Sequence, residues 1–251
     1  MMPMETQRVS LKHQTVGALV AADYRKAEVF KRFGIDFCCG GGRTVEEVCE
    51  KKSINYSTLE SELFKVEQED RSPESPNFNA WDPHLLVEYI LSVHHHYVRE
   101  SIPLLKEFTT KVARVHGHAN PEVIAIAEVF GEVAAELEAH MIKEEQVLFP
   151  SIQQMAGAQE EHKPLPRPPF GTVRNPISMM EHDHERAGAL MAEIRRLSDD
   201  FTPPDHACTT YRVAYFKLEE FEAALHKHVH LENNILFPKA IALEQPPSSP
   251  S

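Results

Sequence analysis

The sequence predicts an all-α protein in which an antiparallel four-helix bundle follows a small N-terminal helical domain. Apolar residues make up 42% of the chain, enough to fill a core, whereas aromatic residues make up only 8%. Together with a glycine count of 10, this composition favours helices over a β-sandwich or barrel. Four long segments carry apolar residues at helical spacing, and two of them repeat one pattern, as expected for a bundle of two related helix pairs.

Polar, proline-rich segments divide the chain into its predicted parts. In order, these parts are an N-terminal domain at 1–66, a linker at 67–79, the bundle at 80–243 and a disordered tail at 244–251. The four helices of the bundle are expected at 83–115, 121–155, 176–198 and 207–243. The second and third of them open on an Asn-Pro pair, in which the asparagine is the expected cap.

Two short helices of the N-terminal domain begin at recognisable capping patterns. Thr44 is followed three residues later by Glu47, the spacing of a capping box in which each side chain bonds the other residue's backbone N–H. Ser57 and Glu60 repeat this spacing, so Ser57 is the expected cap of the following helix.

An internal repeat relates the second and fourth bundle helices. HMIKEEQVLFPSI, beginning at His140, matches HVHLENNILFPKAI, beginning at His228, at an offset of 88 residues. In both segments a glutamate follows the histidine by four residues, and Leu-Phe-Pro begins eight residues after the histidine. His95 on the first helix and His184 on the third are related by nearly the same offset, 89 residues. We therefore expect two helix pairs related by a pseudo-twofold axis.

Helical periodicity selects a histidine, or a histidine and a glutamate, on the inward face of each bundle helix. Apolar residues three and four apart define each face; His96, His182 and His230 fall off it, and His94 lies near its edge. The six residues predicted to face the core are His95, His140, Glu144, His184, His228 and Glu232.

The two inward glutamates indicate a metal site. Buried carboxylates without partners are strongly unfavourable, and no inward Lys or Arg lies at matching depth. A pair of metal ions would remove this cost, and mixed His and carboxylate ligation suits iron, with manganese or zinc as alternatives. Such a site leaves positions for water, an oxo bridge, dioxygen or nitric oxide. A single histidine on an apolar face is more often a hydrogen-bonded core residue, but two repeated His-Glu pairs with two further histidines in register favour the metal centre.

A second element of chemical interest is the vicinal pair Cys38 and Cys39, which precedes three glycines. Such a pair is suited to thiol–disulfide exchange, to binding a transferred iron, or to holding part of a damaged cluster. The alternative is a buried turn with an inert thiol. Cys49 and Cys208 are expected to be structural, and four cysteines in 251 residues do not make a disulfide framework.

Charge and hydropathy restrict the partners and the compartment. The net charge of −12 argues against nucleic acid and anionic lipid. No stretch approaches the roughly 18 apolar residues that a membrane span requires. The first residues also lack the apolar segment that is typical of a signal peptide. We therefore expect a cytoplasmic protein without a membrane or nucleic-acid partner, and the sequence leaves a homodimer open.

These motifs together resemble the di-iron repair-of-iron-centres family, whose core is hemerythrin-like. GIDFCCGGGRTVEEVC is similar to the ScdA-type domain that precedes the bundle in that family. Successive bundle motifs of the family are matched by HHHYVRE, HMIKEEQVLFP, MMEHDHERAG, PPDHACTTYR and HLENNILFP. The resemblance implies two non-haem iron ions, bridged by two glutamates and by an oxo or hydroxo group. Carried over by motif, the ligands fall on the six inward residues. Glu136 and Asp183 match acidic positions that would line a route to the metals.

The resemblance also implies a function with several alternatives. The family is implicated in restoring iron–sulfur clusters damaged by nitric oxide or oxidants, so the leading hypothesis is supply of iron to damaged iron–sulfur proteins. The alternatives are reduction of nitric oxide to nitrous oxide at the di-iron centre, and a hemerythrin-like sensor that binds dioxygen or nitric oxide. The thiol element argues against simple oxygen storage, which would give it no task.

Overall fold

The computed structural model describes residues 10–68, 76–166 and 168–244. The chain divides into two compact units, with Ala80 the last residue of the first and Trp81 the first residue of the second. Most of the predicted linker, residues 69–75, and residues 245–251 of the predicted tail lie outside the described residues.

The N-terminal unit consists of short helices around a small apolar core. Its elements are α1 (Val16–Ala22), α2 (Lys26–Arg32), α3 (Val45–Lys52), α4 (Tyr56–Gln68) and a single 3-10 turn (Phe78–Ala80). Phe30, Leu59 and Leu63 are fully buried where α2 packs against α4. An isolated bridge between Thr15 and Thr44 is the only β-pairing in the described part of the chain.

One of the two predicted helix caps in this unit is confirmed and the other is wrong. Thr44 and Glu47 form the complete capping box at the start of α3. Ser57, however, lies inside the first turn of α4. The Asn55 side-chain oxygen accepts the backbone N–H of Thr58 at 3.1 Å, because asparagine one residue before the helix can reach a free N–H that Ser57 cannot.

The bundle unit consists of four long helices, three of which contain a wide π turn. In chain order the elements are α5 (Pro83–Tyr89), the first π turn (Ile90–His95) and α6 (His96–His116); α7 (Glu122–Lys143), the second π turn (Glu144–Leu148) and α8 (Phe149–Glu160); α9 (Arg174–Leu197); and α10 (Thr209–Leu231), the third π turn (Glu232–Leu236) and α11 (Phe237–Leu243). Helix α6 packs on α7, α7 on α9, and α10 on both α9 and α6, which closes the bundle. The predicted all-α bundle is thereby confirmed.

The second and third π turns follow from local sequence. The N–H of Phe149 bonds the carbonyl of Glu144, five residues earlier, and the N–H of Phe237 bonds that of Glu232 in the same way. Each phenylalanine is followed by a proline, which has no N–H and whose ring would clash with the carbonyl four residues before it. A turn widened by one residue accommodates the proline without ending the helix. Helical periodicity of 3.6 residues could not have predicted these turns.

The third bundle helix begins differently from the prediction. It starts at Arg174, so Asn175 lies in the first turn instead of capping it. The Glu244 carboxylate, at the end of the fourth bundle helix, accepts the backbone N–H of Val173 at 2.6 Å and the Thr172 hydroxyl at 2.5 Å. A carboxylate at a helix N-terminus is favoured by free N–H groups and by the helix dipole. Glu244 therefore ties the end of one bundle helix to the start of another.

The described helices include none that is both long enough and apolar enough to cross a membrane.

We predict that Asn55→Ala lowers the stability of the N-terminal unit by about 1 kcal/mol, because the first turn of α4 loses its side-chain cap. Ser57→Ala is the matched control, and it should change the midpoint of chemical denaturation little. Hydrogen exchange of the α4 amides would localise the effect. Equal destabilisation by the two substitutions would contradict the cap assignment.

Candidate metal centre

The two His-Glu repeats each place a histidine and a glutamate on one helix face, because the two residues are four apart, and each glutamate opens a π turn. His140 lies one turn before Glu144 on the second bundle helix, and His228 lies one turn before Glu232 on the fourth. His95 ends the first π turn and His184 lies in the middle of α9. The six predicted residues are at most 2% exposed. Two carboxylates and four imidazoles therefore share one buried site.

Glu144 contacts one histidine on its own helix and one on a neighbouring helix. Its Oε2 atom lies 3.2 Å from Nε2 of His140, on its own helix, and 3.3 Å from Nε2 of His95 on the first bundle helix. One carboxylate oxygen is therefore shared by imidazoles of two helices.

Glu232 uses its two oxygens for different imidazoles. Oε1 lies 2.9 Å from Nε2 of His228 and 4.0 Å from Nε2 of His95. Oε2 lies 3.0 Å from Nε2 of His184, and the Nε2 atoms of His184 and His140 are 3.0 Å apart. The carboxylate of Glu232 thus spans the site, with one oxygen toward each end.

These side chains form two groups that share both glutamates. One group contains His95 and His228 with Glu144 and Glu232, and the other contains His140 and His184 with the same two glutamates. Within each group one potential ligand atom from every residue lies within 4.8 Å of the others. This is the arrangement of two neighbouring cation positions bridged by carboxylates.

The electrostatics of the site keep the carboxylates charged. Burial alone would raise the pKa of Glu232, but the imidazoles of His228 and His184 hold it well below its usual value. Burial would likewise lower the pKa of His140, but the Glu144 carboxylate raises it to about 9. The surroundings therefore favour the charged forms of the Glu232 carboxylate and of the His140 imidazole.

The orientation of the buried atoms fits a cation better than an ion-pair network alone. His95 Nε2, both oxygens of Glu144 and Oε2 of Glu232 make no well-aligned hydrogen bond with the described residues. Because buried polar atoms are almost always hydrogen-bonded, a group of them directed at a shared space needs a further partner. Imidazole nitrogen and carboxylate oxygen are ligands of first-row transition metals, so the residues present fit such an ion.

An outer residue contacts the second ring nitrogen of His95, Nδ1. This atom lies 2.7 Å from Oε1 of Glu145, and both oxygens of Glu145 are 2.7 Å from Nη2 of Arg99. Such a carboxylate fixes the orientation of a ligating imidazole and places its proton on Nδ1. Sequence reasoning missed Glu145, although the doublet Glu144-Glu145 was visible, because a helical face pattern does not indicate contacts across a helix pair.

Two further imidazoles have similar outer partners. Nδ1 of His140 lies 3.4 Å from Oδ2 of Asp183, which accepts a 2.8 Å bond from Nζ of Lys143. Nδ1 of His184 lies 2.9 Å from Oδ1 of Asn233. Asp183 was predicted to lie near the metals, whereas Asn233 was missed.

The crowded histidine segments are only partly as expected. His96 and His182 are exposed, as their places on the helical faces predict. His94 and His230, in contrast, are buried at 6% and 1% exposure. Burial, with the neighbouring His228 and Lys227, lowers the pKa of His94 to about 3, so its imidazole is neutral at physiological pH.

Glu136 does not contact the six residues by any described hydrogen bond or ion pair. It is half-buried and pairs with Arg186 on α9, with 2.9 Å between its Oε1 and the arginine Nη2. Its place on a route to the metals is therefore supported by no described contact with the six residues and stays a prediction.

Cys38 and Cys39 form a third group, with Asp36, in the N-terminal unit. The Asp36 carboxylate accepts the backbone N–H groups of Cys38, Cys39 and Gly40 at 2.9–3.1 Å, and the Cys38 thiol donates to it at 3.1 Å. A hydrogen bond with Cys39, burial and the nearby Asp36 raise the pKa of Cys38 well above its usual value. A Cβ on Gly40 would lie 3.0 Å from the carbonyl oxygen of Asp36, so a side chain at this position would crowd the turn. Cys38 is buried and Cys39 half-buried.

Two family models match the chain, one in each unit. Residues 12–67 match ScdA_N, a domain of unknown function, and residues 87–240 match the hemerythrin HHE cation binding domain. The second match covers all six buried histidines and glutamates of the candidate centre.

Similar proteins span nearly the whole chain. The iron-sulfur cluster repair protein YtfE of Musicola paradisiaca (strain Ech703) is 34% identical over 230 residues, which cover 92% of this chain and 97% of that protein. The protein of the same name from Yersinia pestis (strain Pestoides F) has the same identity and coverage. The chain therefore belongs to the hemerythrin HHE cation-binding family, in the form that carries an N-terminal ScdA_N domain.

Proposed function

We propose that this protein repairs damaged iron–sulfur clusters by supplying iron from a centre held by His95, His140, Glu144, His184, His228 and Glu232. Two buried groups that share both glutamates carry the proposal, because they offer positions for two cations side by side. The relatives named for iron–sulfur cluster repair support the process, and damaged iron–sulfur proteins are the partners it implies. Mixed imidazole and carboxylate ligation suits iron.

The close contacts between the buried carboxylates and imidazoles support the idea that iron is cargo. When a cation leaves a buried site, the remaining charges must find partners or the fold pays a large desolvation cost. Glu144 lies close to His140 and His95, and Glu232 lies close to His228 and His184, all within 3.3 Å. The Glu144 carboxylate raises the pKa of His140 to about 9, so a proton on this imidazole can replace part of the charge of a departing cation.

We predict that Glu144→Gln empties both cation positions, because one oxygen of Glu144 faces histidines of both groups. Metal analysis after anaerobic reconstitution should fall from two ions per chain to fewer than one. Glu138→Gln, an exposed position on the same helix, is the matched control and should retain both ions. Retention of two ions by Glu144→Gln would contradict the shared role of this carboxylate.

A transfer experiment tests the supply of iron. Protein loaded with isotopically labelled iron is mixed with an iron–sulfur enzyme that nitric oxide has damaged, and activity and labelled iron in the recovered cluster are followed. We expect recovery faster than with the same concentration of free ferrous iron, with the label in the enzyme. The metal-free protein and Glu144→Gln serve as controls.

The transfer experiment, together with gas analysis and visible spectroscopy of the loaded protein, separates the alternatives. Recovery no better than with free ferrous iron would exclude supply by this protein. Nitrous oxide produced over many turnovers would indicate reduction of nitric oxide, and reversible changes of the visible spectrum with dioxygen, without transfer, would indicate a sensor.

For the vicinal cysteines we propose a division of roles in which Cys39 is the reactive thiol. The Asp36 carboxylate already accepts several hydrogen bonds of the turn. We therefore infer that Asp36 organises the loop and does not bind a metal. The high pKa of Cys38 keeps its thiol protonated, whereas Cys39 is half-buried and more accessible. Thiol–disulfide exchange would then start at Cys39.

We predict that iodoacetamide alkylates Cys39 at least about tenfold faster than Cys38 at neutral pH. The reason is that each unit by which a thiol pKa exceeds the pH lowers its thiolate fraction about tenfold. Asp36→Asn should accelerate the reaction of Cys38, since a carboxylate that disfavours its thiolate is gone. Site-resolved mass spectrometry measures both rates, with buried Cys49 as the internal slow standard. Faster reaction at Cys38 would refute the division of roles.

A further inference from the structure

The outer support of the four imidazoles is incomplete at His228. His95, His140 and His184 each direct Nδ1 at an acceptor on a neighbouring helix, namely Glu145, Asp183 and Asn233. Nδ1 of His228 is buried and has no hydrogen-bond partner among the described residues. If His228 ligates a metal through Nε2, its proton must lie on Nδ1, and a buried N–H without an acceptor is costly.

The internal repeat identifies the position where the missing acceptor belongs. Glu145 and Asn233 are related by the 88-residue offset, and they support His95 and His184, which are themselves related by 89 residues. The pseudo-twofold relation therefore extends from the ligands to their outer partners. The third partner, Asp183, supports His140, and the same 89-residue offset places residue 94 in the equivalent position beside His228. That residue is His94.

His94 meets the requirements of such a partner. It is 6% exposed, its ring lies nearly parallel to that of His228, and the two ring centroids are 5.4 Å apart. Its Nε2 atom is also buried and without a hydrogen-bond partner in the described chain. An unprotonated imidazole nitrogen is an acceptor, and Nδ1–H of a ligating His228 is a donor, so the two unpaired atoms are complementary.

We propose that His94 is a positioning residue for His228, its Nε2 accepting from the His228 Nδ1–H through one bridging water. No direct bond joins the two nitrogens, and a buried water that connects two otherwise unpaired polar groups is common in protein cores. His94 would thus do for one histidine what Asp183 does for its counterpart. This inference rests on the proposed ligand set.

The competing explanation is that His94 only fills space. Its ring also packs edge-on against Tyr89, with centroids 5.5 Å apart, so a purely apolar role would explain its burial. That explanation leaves a buried nitrogen of each ring without a hydrogen bond, whereas the positioning role satisfies both. The two explanations differ in whether the nitrogen or only the ring is needed.

The test compares His94→Phe, which keeps an aromatic ring but has no acceptor, with His94→Gln, which keeps a hydrogen-bonding group. Metal-free protein is titrated with cobalt(II), whose visible spectrum reports its ligands, and the two dissociation constants are measured. We expect His94→Phe to weaken one of them by about 10–100-fold, the usual effect of losing an outer partner, and to change the cobalt spectrum. His94→Gln should restore most of the affinity. His96→Phe, at the exposed neighbouring position, is the control and should bind as the wild type does.

Each outcome bears on the inference. Wild-type affinities in His94→Phe, or equal weakening in His94→Phe and His94→Gln, would overturn the positioning role while leaving the ligand set intact. Failure of the wild-type protein to bind two cobalt ions would overturn both. If His94→Phe does not fold, a crystal structure of the metal-loaded wild type tests the positioning role. An ordered water between Nε2 of His94 and Nδ1 of His228 would support the role, and the lack of such a water would refute it.

Discussion

The burial of two carboxylates in a helical core is the constraint on which the rest of the bundle depends. Glu144 and Glu232 are fully excluded from solvent, a position that would destabilise the fold if their charge were unopposed. Four imidazoles from all four bundle helices surround them, so each helix must hold its position for the charge to be compensated. The apolar faces bring the helices together, and the carboxylates restrict how the helices can be aligned.

The π turns reconcile this requirement with a continuous helix. A proline two residues after the second and third π turns would normally end or kink the helix, but the widened turn, which begins at the inward glutamate, accommodates it. Glu145 and Asn233 follow directly inside the same turns and reach the imidazoles of adjacent helices. One local irregularity, used twice, therefore supplies both the carboxylate shared by the two groups and the outer hydrogen bond.

Helical periodicity was sufficient to predict the all-α bundle and the six residues that lie in its core, because those features depend on which face of a helix is apolar. It was not sufficient for contacts between helices. Glu145 and Asn233 lie at positions that a single-helix pattern assigns to the surface, and His94 lies at the edge of its apolar face yet is buried. The cap of α4 was misassigned because Ser57 and Asn55 are both capping residues, and only the backbone decides between them. The internal repeat held more information than the faces, since it relates outer partners as well as ligands.

The distribution of outer partners has a consequence for the charge around the two cation positions. Under the proposed pairing, one cation position is backed by Glu145 and His94 and the other by Asp183 and Asn233, so each receives one carboxylate and one neutral acceptor. Arg99 and Lys143 balance the two carboxylates in the same manner. The outer residues would thus give the two positions the same formal charge, although no outer residue is repeated. A difference between the positions would then come from the outer contacts themselves, which measure 2.7 Å at His95 and 3.4 Å at His140, or from what binds from outside.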